Sequence, residues 1–216
     1  EPFVGWQWKA NAGTTTAFTE SGNNPGGTRQ TNTVAGFSII SYTGTGAPGN
    51  IAHGLPSAPE MIIFKNRGTT NVWATWHVSL GDDYKLELNG TGAKDSDGSF
   101  MNSTLPDATN IRVGDSNNPN TNADTGTYIC YAWSPIQGYS KFGSYVGNGS
   151  TDGTFVYTGF KPAFVMTKNT SATDSWVIMD EKRSPSNVAN KYLLPNTSGA
   201  EGTNFDMFDF VSNGFK

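Results

Sequence analysis

The feature that most constrains the fold of this chain is an internal repeat, in which short motifs return in the same order about a hundred residues later. The matching pairs are 36–38 with 138–140, 41–46 with 144–149, 59–66 with 162–169, 71–73 with 174–176, and Asn89 and 92–93 with Asn196 and 199–200. The offset rises only from 102 to 107 residues, as small loop insertions would produce. Because chance similarity does not produce five matches in register, the sequence predicts two tandem copies of one unit.

An aromatic segment precedes each copy. Residues 3–8 resemble residues 128–133, and both stand ahead of a Gly-aromatic-Ser motif. The repeat therefore predicts a first copy over 1–126 and a second over 127–216. The second copy contains no counterpart of the segment after Val113, so we expect either that a strand has been cut away or that the N-terminal aromatic strand closes its sheet. Since the chain begins at Glu1 without Met, we expect a processed product or an excised fragment.

Short alternating apolar segments, separated by turn residues, predict an all-β chain. The chain has 26 Gly and 11 Pro, and only 15% of its residues are charged, which favours many strands joined by tight turns. The predicted strands are 37–43, 61–65, 72–78, 84–88, 128–133, 141–146, 155–157, 164–168, 176–179 and 191–194. The polar stretches 11–33 and 115–125 are predicted to be exposed loops. This spacing is typical of an antiparallel β-sandwich or jelly roll.

Composition excludes several classes of function. The net charge of −4 without a basic run argues against nucleic acid as a partner, and no apolar stretch reaches the roughly 18 residues of a membrane helix. Cys130 is the single cysteine, so no internal disulfide forms and we expect a buried, inert thiol. With two His residues no His-rich metal site or Cys–His nucleophile can be assembled, although His53 and His77 together leave a weak metal site open.

Aromatic rings and Asp side chains in one copy only are the candidates for ligand binding. Trp8 and Trp133 recur between the copies, as do Trp73 and Trp176, which indicates shared core positions. Aromatic faces stack on sugar rings, and carboxylates and amides bind hydroxyl groups, so an exposed cluster of both favours glycan binding. The candidate binding residues are Trp76, His77, Tyr84, Phe100, Asp82 and Asp83. Core packing of each ring is the alternative, and His53 is predicted to be a structural residue of a strand connection.

The acidic residues leave a metal site and an enzyme open. Asp95 and Asp97 have the alternating oxygen ligands that open many calcium loops, so they are the candidate metal ligands. An acidic residue at the far end of a twelve-residue loop is lacking, which excludes an EF-hand, and an Asx-rich hairpin turn is the alternative. Most other carboxylates fall in turn contexts, and no pair has a spacing that indicates a glycosidase. We therefore predict a protein without a cofactor and without enzymatic activity, with a glycan-degrading hydrolase as the less favoured alternative.

Four segments carry a resemblance to a known family. Residues 36–44, 51–63, 138–145 and 159–166 resemble a domain that recurs in tail-fibre and other virion proteins of marine bacteriophages. The resemblance implies an extracellular position on the virion surface and attachment to a host cell-surface polysaccharide. It also implies other fibre subunits as partners and a homo-oligomeric parent protein. A purely structural decoration or assembly domain is the alternative function.

Overall fold

The computed structural model describes residues 3–115, 118–203 and 205–216, and these form an all-β fold with antiparallel sheets, as predicted. The strands are β1 (Thr16–Phe18), β2 (Gly27–Asn32), β3 (Phe37–Thr43), β4 (Gly49–Ala52), β5 (Met61–Asn66), β6 (Ala74–His77), β7 (Tyr84–Glu87), β8 (Asp95–Ser96), β9 (Asn110–Val113), β10 (Thr127–Trp133), β11 (Val156–Tyr157), β12 (Phe164–Thr167), β13 (Val177–Asp180), β14 (Phe210–Val211) and β15 (Gly214–Phe215). A 3-10 helix, η1 (Val78–Leu80), follows β6. None of the described residues belongs to a helix of the length and apolarity needed to cross a membrane.

Most strands belong to one large sheet. It has eight strands in the order β1-β2-β3-β10-β5-β6-β7-β8, and β4 pairs separately with β9. The smaller sheets are β11-β15-β14 and β12-β13. The strand β10 lies between β3 and β5 and is antiparallel to both.

The chain divides into two compact units. The first unit comprises residues 1–85 and 96–136, and the second comprises residues 86–95 and 137–216. These bounds differ from the predicted copies 1–126 and 127–216, because β10 is hydrogen-bonded into the sheet of the first unit. The two-copy repeat itself stays a prediction.

The core of the first unit lies between the large sheet and the β4–β9 pair. Along β10 the residues Tyr128, Cys130 and Ala132 are buried and alternate with partly buried neighbours, as expected for a strand with one face toward the core. Opposite them, Ile51 and Ile111 supply buried side chains from β4 and β9. Full burial of each large apolar side chain contributes about 1.5–3 kcal/mol.

The prediction of exposed loops was wrong at two places. Residues 11–33 contain β1 and β2, and β2 pairs with β3 along its whole length. The sequence of β2, Gly-Thr-Arg-Gln-Thr-Asn, has no apolar side chains and therefore lacks the apolar alternation that marks a strand. In agreement, no residue of β2 is fully buried. Within 115–125, of which residues 116 and 117 lie outside the described residues, Asn118, Thr121 and Asn122 are buried. Asn122 Nδ2 donates to the carbonyls of Gly114 (2.7 Å) and Ala47 (2.6 Å), which offsets the cost of its burial.

The second unit has a smaller core. It is formed by Val165 and Met179 of the β12–β13 hairpin and by Phe208, Phe210 and Phe215 near the C-terminal strands. The predicted strand 141–146 does not form, since no strand is assigned between Trp133 and Val156 among the described residues. At the predicted strand 191–194, isolated bridges join Leu193 to Ile178 and Tyr192 to Gly202.

Candidate functional site

Two of the predicted binding residues, Trp76 and Phe100, are core residues. Both side chains are almost completely buried in the first unit. The indole Nε1 of Trp76 donates to the carbonyl of Gly81 at 2.7 Å, and the ring of Phe100 packs edge-on against Phe64. This corrects the binding prediction for these two residues, because a buried ring has no face for a sugar. That Trp76 and Phe100 occur in the first copy only therefore does not indicate a binding site.

The other four predicted binding residues lie around η1 and the start of β7. His77 caps η1, and its Nδ1 accepts a hydrogen bond from the backbone N–H of Ser79 at 3.1 Å. Burial lowers the pKa of His77 below its usual value of 6.5. Asp82, Asp83 and Tyr84 follow η1 and are partly exposed. These four residues therefore lie close together along the chain, around the turn that joins β6 to β7.

The predicted metal ligand Asp97 is neutralised by a lysine. Its Oδ2 lies 3.1 Å from Nζ of the buried Lys85 and accepts from Asn118 Nδ2 at 2.7 Å, while its Oδ1 accepts from Ser99 Oγ at 2.8 Å. Burial raises the pKa of Asp97, but the hydrogen bonds from Ser99, Lys85 and Asn118 and the charge of Lys85 outweigh it and lower the pKa below 3.8. The ammonium group therefore supplies the positive charge that a cation would bring to this carboxylate.

Asp95 does not add to a metal site in this geometry. It is exposed in the short edge strand β8, outside the ion pair of Asp97. The described part of the chain contains no group of three or more His, Cys, Asp or Glu side chains placed to hold a metal ion.

His53 is a structural residue of the first unit. Its side chain is completely buried, and its Nδ1 accepts from the backbone N–H of Leu55 at 2.9 Å. Since Nδ1 accepts, Nε2 carries the proton and donates to the carbonyl of Asp107 at 3.2 Å. The carbonyl of His53 accepts from Ser38 Oγ at 2.8 Å, so the residue ties β3 to the turn after β4.

A cavity in the second unit was not identified from the sequence. Its volume is about 180 Å³, and Tyr145, Asn148, Ser150 and Thr154 supply its polar and aromatic side chains. Phe215 adds an apolar wall, on which the Tyr145 ring packs edge-on with the ring centroids 5.9 Å apart. The side chain of Tyr145 stays 45% exposed, and its partial burial raises the pKa of its hydroxyl.

The loop that forms this cavity is held in shape by its own hydrogen bonds. Asn148 Nδ2 donates to the carbonyl of Asp152 at 2.8 Å, and Asn148 Oδ1 accepts from the N–H of Ser150 at 3.0 Å. Thr154 Oγ1 donates to the carbonyl of Val146 at 2.8 Å, and Lys216 Nζ forms an ion pair with Asp152. The one local signal for the cavity is the run of Gly, Asn and Ser directly after Tyr145. Its wall from Met207 to Lys216 lies about sixty residues further on, which no local pattern reveals.

One known family matches the entire chain. A family model described as "Domain of unknown function (DUF7483)" matches residues 1–216. The chain belongs to this family. The DUF7483 match includes both compact units and the cavity loop. No curated protein and no solved structure matches this DUF7483 chain.

Proposed function

We propose that this chain is a non-enzymatic attachment module at the surface of a virion, and that it binds a host cell-surface polysaccharide through the cavity of the second unit. The observation that carries the proposal is the partly exposed ring of Tyr145 beside the amide of Asn148 and the hydroxyls of Ser150 and Thr154. The virion setting rests on the resemblance to tail-fibre domains.

The cavity has the chemistry that a sugar requires. An aromatic ring covers the apolar C–H face of a sugar, while amide and hydroxyl groups bind its hydroxyls and fix its orientation. A volume of about 180 Å³ is below the range of roughly 300–1,000 Å³ typical of drug-sized ligands, so a single sugar ring is the expected occupant. Such a small site binds weakly, and several copies in one fibre raise the avidity through effective concentration.

The carboxylates near the cavity support binding over hydrolysis. Asp152 of the cavity loop forms an ion pair with Lys216. A glycosidase needs a carboxylic acid with a raised pKa opposite a second carboxylate. Among the described residues the cavity lining contains no Asp or Glu side chain, which supports binding over hydrolysis.

A glycan array with multivalent protein tests the proposal. We expect a defined polysaccharide to bind the wild-type chain, and Tyr145→Ala to lower the affinity about tenfold, the equivalent of about 1.4 kcal/mol of lost stacking. Tyr157→Ala is the matched control, because Tyr157 is 58% exposed in the same unit but outside the cavity. If no polysaccharide binds the multivalent wild type, or if Tyr145→Ala binds as tightly as Tyr157→Ala, the proposal is wrong.

A further inference from the structure

The strand β10 completes the sheet of the first unit. It pairs on one side with β3 and on the other with β5, so that Cys130 lies opposite both Ile40 and Phe64. At the end of β10, Trp133 lies opposite Phe37 and Met61. Both edges of β10 are therefore hydrogen-bonded along the strand.

The hairpin of the second unit has the same register as the hairpin beside β10. In β5–β6 Met61 pairs with His77, and in β12–β13 Phe164 pairs with Asp180, a shift of 103 residues at both positions. The turns match in the same way: Lys65 Nζ donates to the carbonyl of Thr69 and Asn66 Oδ1 accepts from Gly68 N, while Lys168 Nζ donates to the carbonyl of Ala172 and Asn169 Oδ1 accepts from Ser171 N. On this alignment β12 takes the place of β5.

The outer edge of β12 lacks the strand that β5 has. β5 pairs with β10 and β6, whereas β12 belongs to a two-stranded sheet with β13 among the described residues. The residues aligned with Phe37 and Tyr42 of β3 are Tyr139 and Tyr145. Phe37 and Tyr42 are 3% exposed, but Tyr139 is 59% and Tyr145 is 45% exposed. The positions that β10 covers in the first unit are thus open in the second.

Two pairs of aligned glycines show the same difference. Gly36 has a φ of +62°, and a Cβ there would lie 2.5 Å from the carbonyl oxygen of Ser134, directly after β10. Its counterpart Gly138 has a φ of +75° and no such neighbour within 4 Å. Likewise a Cβ on Gly44 would overlap the backbone of the loop before β10, while Gly147 has open space. The second unit therefore keeps the glycines at both ends of the position that corresponds to β10. No backbone approaches Gly138 or Gly147 as closely as it approaches Gly36 and Gly44.

Residues 3–8 have the sequence to fill this position. They are Phe-Val-Gly-Trp-Gln-Trp, against Tyr-Ile-Cys-Tyr-Ala-Trp in 128–133, and neither segment has a charged residue. The segment forms no strand in this structure, and Phe3 is 90% exposed. Near its end Trp8 contacts Trp133 with 6.1 Å between the ring centroids, and the Lys9 carbonyl accepts from Asn32. Val4 is 45% and Trp8 is 42% exposed, so these apolar side chains of the segment face solvent as well.

We propose that residues 3–8 of a second copy of this chain add to the outer edge of β12, antiparallel and in the register of β10, and complete the second unit. In that register Gly5 lies opposite Thr167, and Trp8 lies opposite Phe164 and exchanges its contact with Trp133 for this pairing. Addition of a strand to an open edge gains backbone hydrogen bonds and covers exposed aromatic rings. The contact joins different surfaces of the two copies, so it produces head-to-tail chains or closed rings. It covers the ring of Tyr145 and therefore competes with glycan binding at that ring, and its own tests use no glycan.

Cross-linking between two differently tagged variants tests the register. Gly5→Cys in one chain and Thr167→Cys in the other place two thiols directly opposite each other, at a separation that a disulfide can bridge. We expect the mixture to form a disulfide-linked heterodimer on mild oxidation, while the native Cys130 stays unreacted because it is buried. Lys168→Cys is the matched control for Thr167→Cys, because a shift of one residue turns the side chain to the other face and the heterodimer is lost.

A synthetic peptide of residues 1–9 provides the second measurement. We expect it to dissociate the oligomers of the wild-type chain in sedimentation velocity, whereas a peptide with Val4→Pro and Gln7→Pro, which lacks two N–H donors, leaves them intact. A wild-type chain that stays monomeric at every concentration overturns the proposal. So does a Gly5→Cys, Thr167→Cys double variant that cross-links within single chains, since the segment would then close its own second unit.

Discussion

The imidazole of His53 is completely buried, and both of its ring nitrogens are hydrogen-bonded to backbone groups. Burial lowers its pKa below the usual 6.5, the carbonyl and the charge of Asp107 oppose this shift, and the charge of Arg29 adds to it. His53 is therefore neutral in the folded chain at pH values where it becomes protonated in the unfolded chain. A second proton on the ring would also remove the acceptor for the N–H of Leu55.

We expect the free energy of unfolding to fall as the pH drops below about 6.5, because the unfolded chain then binds a proton that the folded chain does not. The slope approaches about 1.4 kcal/mol per pH unit until the folded pKa is reached. Urea unfolding at a series of pH values measures this, and His53→Asn, whose Oδ1 still accepts from Leu55, should flatten the curve. His77→Asn is the control for the second imidazole with a lowered pKa. An unchanged slope in His53→Asn would show that other groups titrate.

Among the elements, the paired strands β2 and β3 show how much a sheet depends on a single small residue. Gly27 begins β2 opposite Tyr42, and a Cβ on Gly27 would overlap the carbonyl oxygen of Ser41 and lie 2.9 Å from Tyr42 Cα. The backbone of β3 lies too close for any side chain at this position. The restriction at Gly27 is steric, because its φ does not lie in the left-handed region that favours glycine.

We expect Gly27→Ala to lower the free energy of unfolding by about 1–3 kcal/mol, the usual cost of forcing additional atoms into a packed site. The midpoint of urea unfolding, followed by tryptophan fluorescence, gives the change. Gly92→Ala is the control, because Gly92 has no such neighbour within 4 Å and should leave the midpoint nearly unchanged. Equal effects of the two substitutions would contradict the close approach of β2 and β3.

At the scale of the whole molecule, the two units have cores of different size. Among the described residues the first core contains fifteen buried apolar side chains and the second contains six. The hydrophobic contribution grows with the buried apolar area, so the first unit gains the larger stabilisation. In the part of the chain that the structure describes, β10 is also paired on both edges, whereas β12 is paired on one.

We therefore expect slower hydrogen exchange at the amides of β5 and β10 than at those of β12 and β13, measured by NMR on a sample dilute enough to be monomeric. Local opening exposes weakly packed elements first, so the difference reports the stability of each unit. Ile62 and Cys130 in the first unit, with Val165 and Met179 in the second, are suitable reporters because all four are buried. Equal protection in both units would show that the chain opens as one cooperative body.

Local pattern in the sequence was sufficient for the all-β class and for the central strands. β3 and β10 alternate buried and less buried residues, and β5 is almost entirely buried and begins with four apolar residues, so periodicity and composition located all three to within one residue. β2 was missed because its residues are polar, so no apolar alternation marks the strand that pairs with β3.

The sequence by itself determined the fold class, the main strands and the absence of an internal disulfide, because these follow from neighbouring residues and composition. Only the tertiary structure decided that Trp76 and Phe100 are core residues and that Lys85 neutralises Asp97. It alone brought the loop after Tyr145 beside the C-terminal strand to form a cavity. The physical reason is that burial and charge neutralisation depend on groups that are distant along the chain. A local sequence pattern does not specify which distant groups come into contact.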